Sequence, residues 1–226
     1  MIESRAPDHP PRAGVIFDLD GTLADTLADI AAALNAALHA YGHPAAPLDR
    51  VRAWVGEGLP TLCRRALPGA DDATLHRFTA AALRSYFAHP CDHTTLYPAI
   101  RELLDVLARR TIPLAVLSNK PHDLTVQTIS ALGVAERFNL IRGYRSEQDK
   151  KPSPAAALDI ARAWQIAPAQ ILFVGDSQAD VATALAAGMI PVAATWGFRS
   201  RDELAAAGAT IFVDHPAQIA ELPQLR

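Results

Sequence analysis

The feature that most restricts the fold is a repeated change of texture along the chain. A short apolar run stops at a polar cluster, and a stretch with helical spacing follows. Ala13-Gly14-Val15-Ile16-Phe17 is rich in strand formers and stops at Asp18, while Ile112 to Leu117 stops at Ser118. Ile171 to Val174 runs into Gly175-Asp176, and Phe138 to Ile141, Ile190 to Ala194 and Thr210 to Val213 are further runs of this kind. Apolar runs without alternation suit strands buried on both faces. Between them, Ile100, Leu103, Leu104 and Leu107 recur at helical spacing, and Leu124 to Leu132, Ala155 to Trp164, Val181 to Ala187 and Asp202 to Ala207 also read as helices. Gly133 and Gly188 offer stops. Such alternation favours right-handed parallel crossovers. The predicted fold is α/β, a doubly wound, Rossmann-like parallel sheet.

The alternation is suspended after the first strand. Leu27, Ile30, Leu34, Leu38 and Tyr41 mark one helix, with Leu48 to Val55, Leu59 to Leu67 and Ala73 to Ala88 as three more, and no strand reads between His43 and Pro90. The expectation is an all-helical cap over 27–92, inserted in a core made of 1–26 and 93–226. Residues 1–12 carry Pro7, Pro10 and Pro11, several charges and no apolar run, so a disordered tail is expected rather than a secretory signal. Half of the 226 residues are hydrophobic and the formal net charge is −3. That suits a packed core and supplies no strong field for nucleic acid or a membrane surface. No stretch is apolar over the length of a membrane span. Cys63 and Cys91 form no Cys-x-x-Cys spacing, so reduced thiols and a cytoplasmic location are expected. Monomer and homodimer both stay open.

Ligands of an open parallel sheet bind beyond the carboxyl ends of its strands. Four polar clusters would meet there: Asp18-Leu19-Asp20-Gly21-Thr22, Ser118-Asn119-Lys120, Lys150-Lys151-Pro152 and Gly175-Asp176-Ser177-Gln178-Ala179-Asp180. Aspartates crowded together need a cation or a proton to offset their repulsion. All-oxygen ligation suits a hard ion such as Mg²⁺. Serine, asparagine and lysine are donors for phosphate oxygens. Together these groups meet the needs of phosphoryl transfer. Asp18 and Asp20, two apart at an extended strand end, would point to one side. One carboxylate could attack phosphorus while the other moves protons. Gly21 permits the turn that leaves this strand end open.

In order and type, these clusters resemble the motifs of the haloacid dehalogenase superfamily, in its phosphatase branch. Asp18-Leu19-Asp20-Gly21-Thr22-Leu23 is similar to the first motif, Ser118 to the second, Lys151 to the lysine motif, and Gly175-Asp176 with Asp180 to the acidic fourth. The resemblance implies Asp18 as nucleophile and Mg²⁺ ligand. It implies Asp20 as acid/base, ligating the metal through its carbonyl. Asp176 would be a second side-chain ligand, and Asp180 a ligand or its neighbour. Ser118, Asn119 and Lys151 would hold the phosphoryl group, with Thr22, Gly56 and Gly58 also among the substrate- and phosphate-binding residues. Retention of Asp20 argues for phosphate chemistry over dehalogenation, and the absence of lysine between Thr26 and Cys91 argues against phosphonatases and sugar-phosphate mutases.

Among these phosphatases the chain looks most like those acting on phosphoglycolate. Ala53-Trp54-Val55-Gly56-Glu57-Gly58-Leu59 resembles their cap loop, and Leu96-Tyr97-Pro98 and Thr195-Trp196-Gly197 match as well. Two departures are Ala99, where glycine is common, and Glu57, a negative charge where an anionic substrate should approach. The expected substrate is a small phosphorylated metabolite. Pyrophosphate, sugar phosphates and nucleotides are alternatives to phosphoglycolate. A phosphoacceptor signalling domain or a non-catalytic binding protein is the reading from another class. Arg64 and Arg65 could hold a substrate carboxylate, although a solvated helix face accounts for them as well.

Overall fold

The computed structural model describes residues 13–225. The expected tail over residues 1–12 lies outside the described residues. The chain opens with β1 (Gly14–Phe17) and a short strand β2 (Ala24–Asp25), followed by helices α1 (Leu27–Ala40), α2 (Leu48–Trp54), α3 (Leu59–Ala66) and α4 (Asp72–Ala88). Strand β3 (Thr95–Leu96) returns to the sheet region, and α5 (Ile100–Arg109), β4 (Leu114–Pro121), α6 (His122–Ala131) and β5 (Leu140–Tyr144) follow. The remainder is α7 (Ala155–Trp164), β6 (Ile171–Gly175), α8 (Gln178–Ala186), β7 (Ile190–Ala194), α9 (Arg201–Ala206) and β8 (Ile211–Val213), then short 3₁₀ turns.

The six-stranded sheet has the order β5-β4-β1-β6-β7-β8, and every pairing in it is parallel. The strand order reverses at β1, which lies between β4 and β6. That is where a doubly wound sheet opens a crevice for ligands. Both faces of β1 are covered, which is why it reads as an unbroken apolar run. Val15 and Phe17 pack with Leu103, Leu104 and Leu107 of α5, whereas Ile16 packs with Ile160 of α7 and Phe173 of β6.

Helices α1 to α4 share a separate apolar cluster that includes Leu34, Val51, Leu62, Phe78 and Tyr86. Leu124 of α6 belongs to the same cluster, so the helical insert is seated on the sheet layer through a core residue. Strands β2 and β3 pair antiparallel where the chain leaves and re-enters the sheet layer. This ribbon has no counterpart in the sequence reading, because strands this short carry no periodicity. Strand β4 extends past Leu117 to Pro121, so it includes the polar cluster rather than stopping before it. Helix α8 starts at Gln178 instead of Val181, because Ser177 and Asp180 form a capping box there. Phe138 precedes β5, which runs instead from Leu140 to Tyr144.

Ala99 sits at the start of α5 with φ 65°, in the left-handed region that favours glycine. The departure from glycine at this position is therefore a small local strain in the scaffold, remote in kind from the acidic cluster.

Asp29 of α1 ties the insert to the returning chain. Its buried carboxylate accepts hydrogen bonds from the N–H groups of His93 and Thr94 and from the Thr94 hydroxyl, the last at 2.6 Å. Replacing it leaves buried donors without an acceptor. Asp29→Ala is expected to lower unfolding free energy by about 2–4 kcal/mol. Urea unfolding would measure this, and a change below about 0.5 kcal/mol would show that the contact is not structural.

Candidate active site

The site grows from the carboxyl ends of β1, β4 and β6. Asp18 continues the β1–β6 pairing by donating its N–H to Val174 at 2.9 Å. A tight turn follows, in which the N–H groups of Thr22, Leu23 and Ala24 donate to the Leu19 carbonyl. Gly21 has φ +90°, and a Cβ there would sit 2.3 Å from Asp176 Oδ2. Across the site, a Cβ on Gly197 would come within 2.3 Å of Asp176 Cβ. Asp176 is thus clasped between two backbone segments that only glycine lets approach so closely.

Asp18, Asp176 and Asp180 are all buried, and each offers an oxygen within 4.8 Å of the others. Lys151 answers part of this charge. Its Nζ lies 2.6 Å from Asp180 Oδ1 and 2.8 Å from Asp18 Oδ1. The second contact is an ion pair without hydrogen-bond alignment, leaving Asp18 Oδ1 buried and lacking a hydrogen bond. Burial, aided by the Asp180 charge and opposed by Lys151, pushes the Asp18 carboxyl up to about 8. Burial and Asp180 push Asp176 up to about 7, against the N–H of Phe198 and the Thr22 hydroxyl. One ammonium does not neutralise the cluster. An oxygen-seeking divalent cation fits the remaining negative charge, the all-oxygen donor set and the unaligned Asp18 Oδ1.

The supporting contacts sort the acidic residues. Asp176 accepts from Thr22 Oγ1 at 2.9 Å and from the Phe198 N–H at 2.7 Å. Asp180 has both oxygens engaged, Oδ1 by Lys151 and Oδ2 by the N–H and hydroxyl of Ser177. Its clearest task is to anchor Lys151. Burial opposes the charge on Lys151, but Asp18 and Asp180 outweigh it and hold the lysine above its usual range. Asp20 stands apart from the three, with Oδ1 2.7 Å from Lys120 Nζ.

Two expected roles change in detail. The buried Thr22 hydroxyl is directed to Asp176, so its proton is spent there rather than on a phosphate oxygen. Asn119 donates its amide to the carbonyls of Lys151 and Gly56, both at 3.0 Å, and accepts the Lys151 N–H at 2.8 Å. Its side chain is a strut between the lysine loop and the cap loop. Arg65 pairs with Glu57 and donates to the Trp54 carbonyl, while Arg64 faces solvent near Asp72. Neither arginine lines the cavity, and the negative charge of Glu57 already has a cation.

A cavity of about 50 Å³, partly open to solvent, lies over the acidic residues. Asp18, Asp20, Ser118 and Asp176 form its floor, and Ile30, Val55, Gly56, Gly58, Leu59, Leu62 and Tyr86 from the helical insert form its roof. Gly56 (φ +124°) and Gly58 (φ +86°) shape the loop before α3, and a Cβ on Gly58 would meet the Asn119 carbonyl at 3.0 Å. Arg199, from the loop after β7, donates to the carbonyls of Arg52, Ala53 and Val55 at the end of α2. Tyr86 and Arg199 had no role expected from sequence, and Lys120 was expected at the site only as part of the cluster that closes β4. A lysine ending an apolar strand is a usable signal, since a buried ammonium requires an anion. Tyr86 and Arg199 act through tertiary contacts with no local signature.

Comparison with known proteins agrees with this geometry. The family model for haloacid dehalogenase-like hydrolases matches residues 15–194. A phosphoglycolate phosphatase of Pseudomonas syringae pv. tomato is 36% identical over 206 residues, covering 88% of this chain and 75% of that protein. One from Chromobacterium violaceum is 35% identical, covering 92% and 95% respectively. The crystal structure of a predicted phosphoglycolate phosphatase from Haemophilus somnus superposes with a TM-score of 0.87 at 31% identity, covering 93% of this chain and 97% of that one. The chain belongs to the haloacid dehalogenase-like hydrolases and is a phosphatase of that family, similar to its phosphoglycolate phosphatases.

Proposed function

We propose that the protein hydrolyses 2-phosphoglycolate to glycolate and phosphate through a phosphorylated Asp18, with Mg²⁺ as cofactor, in the cytoplasm. The observation that carries the chemistry is the buried Asp18, Asp176 and Asp180 cluster, only partly neutralised by Lys151, with Asp20 on the same strand end. An Asp18 oxygen attacks phosphorus as the bond to the leaving oxygen breaks, and Asp20 gives that oxygen a proton. Asp20 then takes a proton from water. That water attacks phosphorus, the bond to Asp18 breaks, and phosphate leaves. Asp18, Asp176 and the Asp20 carbonyl would hold Mg²⁺, with Asp180 beside it, and the bound ion would offset charge on the phosphoryl oxygens. Lys151 and Ser118 would steady the same oxygens.

Support for the substrate comes from the relatives' activity and from the roof of the cavity. Its lining by Ile30, Val55, Leu59, Leu62 and Phe198 offers few partners to the hydroxyls of a sugar. No side chain caps the start of α3 at Gly58, so the N–H groups of its first turn, apart from Pro60, which has none, are the natural partners for a substrate carboxylate. An apolar roof also excludes water from the reacting centre.

A panel of phosphorylated metabolites tests the substrate. The kcat/KM for 2-phosphoglycolate is expected to exceed that for pyrophosphate, glucose phosphates and nucleoside monophosphates by at least about tenfold. A different leader would replace the substrate while leaving the chemistry in place. Asp18→Asn should lower kcat at least about a thousandfold. Its unfolding midpoint should be unchanged or higher, because a buried like charge is removed. Turnover near the wild-type rate would reject Asp18 as nucleophile. Chelation should abolish turnover, Mg²⁺ should restore it, and added Mg²⁺ should raise the unfolding midpoint of the wild-type protein. Full activity in excess chelator would reject the metal.

A further inference from the structure

The helical insert contributes one polar side chain to the acidic end of the sheet that the hydrolytic steps leave without a task. Tyr86, near the end of α4, is buried, and its hydroxyl accepts a hydrogen bond from Lys120 Nζ. The same ammonium donates to Asp20 Oδ1 at 2.7 Å and lies 4.5 Å from the centroid of the Tyr86 ring. Only 1% of the Lys120 side chain is exposed, so its charge depends on these partners. Among the described residues, Asp20 is the one carboxylate within ion-pair distance of it. The ammonium is therefore fixed at one end by the helical insert and at the other by the strand that carries the nucleophile.

We propose that Tyr86 and Lys120 are positioning residues that set Asp20 for proton transfer when the cap is seated on the sheet layer. This rests on Asp20 being the proton donor to the leaving group. Tyr86 holds the ammonium through its hydroxyl. The ammonium grips Asp20 Oδ1 and so fixes the rotation of the carboxylate, leaving Oδ2 to carry the proton. Without the Tyr86 hydroxyl the long lysine side chain has a freer range, and the carboxylate loses its fixed orientation.

The leaving group provides the test. Glycolate leaves as an alkoxide and needs a proton, whereas acetate leaves acetyl phosphate without one. Comparing kcat/KM confines the readout to steps up to release of the leaving group and excludes the later attack of water. Tyr86→Phe keeps the ring and the packing. It is expected to lower kcat/KM for 2-phosphoglycolate, or for the best alkyl phosphate of the panel, by about tenfold, and for acetyl phosphate by less than about twofold. Lys120→Met should show the same bias more strongly, and Tyr86→Phe added to it should cost little more. Equal losses on both substrates, or none on either, would overturn the proposal. Asp20→Asn measured alongside separates the two readings. If Asp20→Asn shows the bias and neither Tyr86→Phe nor Lys120→Met does, the positioning role fails and the proton donor stands. If Asp20→Asn shows no bias, the donor assignment fails and takes the positioning role with it.

Discussion

The ammonium of Lys151, buried between Asp18 and Asp180, is the contact on which the site depends. Three carboxylates within 4.8 Å of one another cannot all be charged in a dry crevice without help. Lys151 supplies one positive charge, and Asp180 holds that lysine in place with an oxygen that Ser177 does not use. The result is an Asp18 carboxylate that is stabilised enough to be buried and still short of a full complement of partners. The glycine clasp around Asp176 serves the same end, because it brings the opposing acidic side chain close without admitting bulk solvent.

Much of the scaffold was legible because both faces of the central strands are covered. Val15, Ile16 and Phe17 are all buried, so their run lacks alternation and reads as a strand of a parallel sheet. The acidic residues were legible for a related reason. Polar groups that close a buried strand must meet a ligand, an ion or a partner, or go unsatisfied. What sequence could not assign was the use of each polar atom. Thr22 and Asn119 carry donors suited to phosphate, yet both are drawn off by nearer acceptors, Asp176 and the carbonyls of Lys151 and Gly56. Those acceptors are far away in sequence, and nothing local announces them. The β2–β3 ribbon escaped for the opposite reason, being too short to carry a pattern.

The end of β4 shows how closely the helical insert and the sheet layer are coupled. Asn119 bonds the cap loop at Gly56, and Lys120 bonds Tyr86, while both also touch the catalytic layer through Lys151 and Asp20. Arg199 adds a third tie at the carbonyl end of α2. Such an arrangement serves any phosphatase whose leaving group is small, because a small leaving group offers little binding energy of its own. Contacts between the two layers can supply alignment that the substrate cannot.

The position of β1 has a consequence for how the chain reaches this state. Its partners arrive late: Val15 pairs with Leu114 of β4, and Gly14 pairs with Ile171 of β6. The helices of the insert, by contrast, pack on one another within residues 27–88, α1 chiefly against α4. Long-range parallel pairing is slow because the loop must close before any contact rewards it. During synthesis the insert can therefore gather its own apolar cluster while β1 waits unpaired. The carboxylates of Asp18 and Asp20 emerge from the ribosome long before Lys151, so they remain hydrated until the cation that permits their burial has been made.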